Sequence, residues 1–301
     1  MKHTLKITLI ILFMFLLTQF IGLYVVNHYL KPENKLIFGL EPPEAKTEAD
    51  YYGFFSFVIF AFFIAIIIFF ILMKIKIEFL MRLWFFAVVF IALSISFLSF
   101  FSWFKYAFIL SLTLAFLFAF FKVYKRHILA HNFTEFFIYP GIAAVFVPIF
   151  NFYTIFILLI LISIYDVWAV WHSGIMQKMA KYQINKVRVF SGFFVPYVSK
   201  SLKQKIKRWK KQLTKKQLEK KKIKVNVAIL GGGDVVFPII TSGVMLKFFG
   251  WFFAVSVIIG SAMGLAYLFF FSEKRKFYPA MPFITGGISL GVIIAFLITL
   301  L

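Results

Sequence analysis

Val225 to Pro238, VNVAILGGGDVVFP, places an aspartate, Asp234, inside an otherwise apolar segment. A carboxylate at membrane depth is costly unless it faces a partner or a wet cavity, so such an acid points to a functional site. The chain has three aspartates. Asp50 falls in a loop, whereas Asp166, in SIYDVWAVW at the far end of the preceding apolar segment, is the natural partner of Asp234. On this reading the two are the only acids well inside apolar segments. Around Asp234, Gly231, Gly232 and Gly233 remove three side chains and let another backbone approach. Pro238, four positions on, cannot donate to the Asp234 carbonyl, so a helix here is locally irregular.

Composition supports a membrane setting. Of 301 residues, 62% are hydrophobic and 15% charged, and mean hydropathy is +0.94, more apolar surface than a soluble core can hide. There is no cysteine, which excludes disulfides, thiol nucleophiles and thiolate metal sites. Hydrophobic runs of about the ~20 residues needed to cross a bilayer predict an all-α, polytopic membrane protein with nine spans. They lie near 7–29, 52–73, 81–101, 104–124, 133–150, 152–171, 225–248, 249–271 and 279–301. The first run is too long for a signal-peptide core and lacks a small-residue cleavage site, so it is a retained span. Ser94, Ser96, Ser99 and Ser102 in span three are read as packing and back-bonding residues. Pro140 and Pro148 predict a kinked or short span five.

The chain then divides into a membrane region, 1–173, a basic loop, 174–224, and a second membrane region, 225–301. The loop carries seventeen lysines and arginines against Glu219 alone, most of the net charge of +22. Beside membrane spans such a run sets orientation and touches anionic lipid headgroups. It contains no base-reading module, so nucleic acid is not the expected partner. Placing the N terminus in the cytoplasm makes every inner segment net basic, while the first outer loop is acidic and the C terminus, outside, is uncharged.

In this topology Asp166 lies about six residues from the inner end of span six, and Asp234 about ten residues into span seven. At 1.5 Å per residue both fall roughly 8–15 Å from the inner surface and can meet. Two carboxylates in contact share a proton, giving an acid and a base in one site suited to peptide hydrolysis by activated water. No metal or cofactor is required, and His172, six residues beyond Asp166, points to a different helix face. An ion or proton relay through the same pair is the competing reading.

Three motifs resemble the presenilin and signal peptide peptidase family of intramembrane aspartyl proteases, and most of all its single-chain archaeal members. They are Tyr165-Asp166 in span six, Gly231-Gly232-Gly233-Asp234 as the family's GxGD in span seven, and Pro279-Ala280-Met281-Pro282 as its PAL-type motif opening span nine. The motifs cover only the C-terminal half. The resemblance implies a presenilin-like fold, a catalytic pair Asp166 and Asp234, and transmembrane-helix proteins as substrates. It also implies a substrate-binding cleft shaped by Tyr165, Gly231, Gly232 and Gly233, and an unwound substrate held by Pro279, Ala280, Met281 and Pro282. Gly232 and Met281 stand where the family commonly has leucine, which bears on substrate fit. A homo-oligomer is left open. A prepilin-type peptidase, also a GxGD-like enzyme, is the nearer alternative but lacks the PAL-like stretch.

Overall fold

The computed structural model describes residues 5–39, 45–75, 77–125, 127–174, 178–179, 182–187, 189–197, 226–273 and 278–301. Within them run nine helices long and apolar enough to span a membrane. They are α1 (Leu5–Tyr29), α2 (Glu48–Ile75), α3 (Glu78–Phe101), α4 (Ala107–Phe120), α5 (Ile128–Phe146), α6 (Phe152–Val167), α7 (Gly232–Phe249), α8 (Trp251–Phe271) and α9 (Met281–Leu300). α4 and α6 each continue into a π-helical turn, Phe121–Lys125 and Trp168–His172. The nine predicted spans are all present, with ends that move by up to seven residues.

The largest of these shifts is at span seven. Asn226–Gly231 is a strand, β2, paired antiparallel with Gly192–Tyr197, β1, in a stretch read above as polar loop. A short apolar run does not declare helix or strand by itself. Here the alternation decides: Ala228 and Leu230 are buried, while Val227 and Ile229 between them are exposed. From β1, Phe193 and Val195 turn inward onto α5, where Phe193 meets the rings of Phe136 and Tyr139. Asp234 is consequently in the first turn of α7, not ten residues into a helix. Residues 198–225, which hold most of the basic loop, lie outside the described residues.

α1, α5 and α7 pack against one another at the centre. Gly22 of α1 and Gly243 of α7 leave room there for Ile239 and for Val147 and Val26, respectively. Pro140 does not break α5, which runs through it to Phe146 and closes in a 3₁₀ turn at Val147–Ile149 around Pro148. Three of the four span-three serines back-bond within α3, and Ser96 donates across to the Phe137 carbonyl of α5. Asn151 caps α6 in a reciprocal box with Thr154. α2 stands apart: none of its residues is buried.

α8 and α9 lie against each other through Gly260, Gly264, Gly287 and Gly291, where the backbones approach too closely for any Cβ. A Cβ on Gly264 would collide with the carbonyl of Phe283, two residues beyond Met281. Gly264→Val is therefore expected to cost about 1–3 kcal/mol by overpacking, read as a lower Tm in detergent.

Candidate active site

Asp166 is buried in the last turn of α6, just before that helix loosens into its π turn. Its Oδ2 accepts the Met281 N–H at 3.0 Å, and the Ala280 N–H beside it adds to the field that favours the carboxylate. Ala280 and Met281 are the N-cap and first residue of α9, where backbone donors have no partner within the helix. Pro279 and Pro282 carry no N–H, so the Pro-Ala-Met-Pro stretch offers two backbone donors, both on the side of Asp166. One turn away, the hydroxyls of Ser163 and Thr285 meet at 2.9 Å and fix the register of α6 on α9.

Asp234 is the third residue of α7 after its N-cap, Gly231. Its carboxylate lies in the first turn, where the Gly231 N–H contributes to the field around it. A Cβ on Gly231 would stand 3.1 Å from Asp234 Oδ2, so this glycine leaves room for the carboxylate. Asp166 and Asp234 interact electrostatically, which brings together the pair expected from the sequence.

The remaining motif residues divide. Tyr165 packs edge-on to Phe62 of α2, ring centroids 5.5 Å apart, and also contacts Trp168. Gly233 is exposed, and a side chain there would meet only the Phe237 ring. Gly232 faces inward: a Cβ would lie 2.7 Å from Ser191 Oγ and 2.8 Å from the Tyr139 hydroxyl. The space beside Gly232 is thus filled from α5 and the residue before β1. Pro279 and Met281 are buried and Ala280 and Pro282 half-buried, all at the Asp166 end of α9.

Sequence reasoning missed several supports. Gln19, buried in α1, donates to the Val235 carbonyl at 3.0 Å, next to Asp234. Its signal was a lone amide side chain in a run of apolar ones. Glu135, left at the edge of span five, is fully buried and meets Lys122 and His131, so Asp166 and Asp234 are not the only acids at depth. The signal here was periodic: His131, Glu135 and Tyr139 recur every fourth residue, one stripe of a helix.

A family model described as signal-peptide peptidase, presenilin aspartyl protease matches residues 12–301. Two solved structures described as a presenilin family intramembrane aspartate protease share the fold. One, in a C222 space group, has a TM-score of 0.62 and 17% identity, covering 97% of this chain and 99% of that chain. The other, in P2, has a TM-score of 0.60 and 16% identity, with 96% of each chain covered. No curated protein matches the chain. Nine helices of membrane-spanning length among the described residues, two aspartates within electrostatic reach of each other on α6 and α7, and a match over nearly the full length lead to one conclusion: the chain belongs to the signal-peptide peptidase and presenilin family of aspartyl proteases.

Proposed function

We propose that Asp166 and Asp234 form the catalytic dyad of this intramembrane aspartyl protease, cutting peptide bonds within the transmembrane segments of other proteins. The observation that carries the reading is that the two carboxylates lie within electrostatic reach of each other, Asp166 held by the Met281 N–H at the start of α9 and Asp234 in the first turn of α7. With one proton between them, the ionised carboxylate takes a proton from water as it attacks the scissile carbonyl. The protonated one donates to the developing oxyanion or to the leaving amine. Membership of an aspartyl protease family favours hydrolysis over an ion relay through the same pair.

The scissile peptide of a transmembrane helix must first be unwound, and its freed backbone groups need partners. β2 supports this step. In the register of the hairpin, Phe194 turns its N–H and C=O away from β2, onto Asn132. Its opposite number, Ile229, by the same alternation turns its own groups away from β1, as does Val227. Asn132 closes the β1 edge, leaving the β2 edge as the place for an extended substrate strand, which would lead directly to Asp234. α2, which buries nothing and meets α6 through Phe62 and Tyr165, leaves a lateral path from lipid to Asp166.

In this reading residues 1–173 contribute Asp166, residues 225–301 contribute Asp234 and the Pro279–Pro282 stretch, and the loop 174–224 contributes β1. Both aspartates come from one chain, so the dyad needs no second copy. The basic loop and N terminus lie in the cytoplasm, the C terminus outside, and the loop lysines meet anionic headgroups.

With purified protein and a single-span reporter, Asp166→Asn and Asp234→Asn are each expected to abolish cleavage while remaining folded; full activity of either variant would overturn the dyad. Ile229→Pro removes an outward donor from β2 and is expected to lower kcat/KM about tenfold or more, read on the same reporter. Reporters with the N terminus outside are expected to be cut, and exclusive cleavage of the opposite orientation would reverse the topology.

A further inference from the structure

Apart from Asp166, the buried charged side chains among the described residues are Lys122, His131 and Glu135. Lys122 comes from the π-helical end of α4 and the other two from α5. Lys122 Nζ donates to Glu135 Oε1 and lies 3.4 Å from His131 Nδ1. His131 Nε2 lies 2.7 Å from the Gly192 carbonyl of β1, a group that only accepts, so Nε2 carries the hydrogen and Nδ1 is free to accept from Lys122. Beside His131, Asn132 bonds Phe194 of β1 through both ends of its amide, at 2.8 and 3.0 Å.

A buried ion pair of this kind adds little stability that apolar side chains could not supply, so its position is more informative than its charge. One helical turn beyond Glu135, on the same stripe, is Tyr139, which is 1% exposed. Its hydroxyl lies 3.3 Å from Ser191 Oγ and within electrostatic reach of Glu135. The same hydroxyl closes over Gly232 and is within electrostatic reach of Asp234. Ser191 also accepts the Gly232 N–H through its backbone carbonyl, at 3.3 Å. The stripe therefore grips the hairpin at β1 and the catalytic turn at Gly232.

We propose that Tyr139 is a positioning residue for Asp234, its hydroxyl held against Ser191 and over Gly232, on the α5 stripe anchored by the Lys122–His131–Glu135 cluster, so that the Gly232 turn presents the carboxylate in one orientation. This rests on the protease reading for its effect on catalysis, but not for its effect on the turn. It accounts for the glycine at 232: any side chain there would displace the Tyr139 hydroxyl.

The test compares the full-length parent with Tyr139→Phe, which keeps the ring and removes only the hydroxyl, and with the neutral pair Lys122→Gln/Glu135→Gln. Two readouts are taken: kcat and KM on a single-span reporter, and hydrogen exchange of the amides from Asn226 to Asp234. Tyr139→Phe is expected to lower kcat about tenfold, the scale of one hydrogen bond, with KM within about twofold and faster exchange at the Gly232 turn. The neutral pair is expected to move both readouts in the same direction. Unchanged exchange in Tyr139→Phe overturns the proposal, as does parental kcat in a parent that cleaves, because a ring that only packs would give either result. A parent that never cleaves sinks the protease reading instead, and exchange alone then decides the role of Tyr139.

Discussion

Both aspartates answer one constraint, the field of unpartnered backbone N–H groups at the start of a membrane helix. The first donors of any helix lack partners within it, and in hydrocarbon no water supplies them. α9 meets this need with Asp166 from another helix, and α7 carries its own acid, Asp234, in its first turn. Among the described residues neither carboxylate has a salt-bridge partner to neutralise it, and the two lie within electrostatic reach of each other.

Much of the remaining packing serves to keep those two helix starts in place. The glycine seam between α8 and α9 sets the depth of the Ala280 and Met281 amides, and the Ser163–Thr285 bond sets α6 against them. On the other side, Gln19 holds the Val235 carbonyl, and α1 and α5 wedge against α7. The C-terminal end of α7 is tied down by Lys247, which donates to the Tyr51 hydroxyl and to the Pro148 carbonyl. A catalytic site formed from three separate helices needs such ties, because misplacing reacting groups by about an ångström costs orders of magnitude in rate.

The nine spans were legible because each carries its own signal, a long apolar run that no other element of a chain can satisfy. Asp166 and Asp234 were legible for the converse reason, as acids where acids are expensive. The hairpin was not, because NVAILG reads as the start of a helix until GFFVPY, more than thirty residues earlier, is placed beside it. Glu135 is not legible as a buried acid because one of its partners, Lys122, comes from the turn that continues α4, and only the fold brings it onto the His131–Glu135 stripe of α5. The direction of the Gly232 gap could not be read at all, since it depends on where α5 sets Tyr139.

β2 also shortens the helix that follows. α7 has 18 residues, a length of about 27 Å, against a hydrocarbon core of about 30 Å. Its first turn, with Asp234, therefore stops short of a full crossing, and the β1–β2 hairpin runs on from it. The peptide groups that lead into Asp234 thus belong to an extended edge, whose alternate amides point outward, and not to a helical turn that would have consumed them.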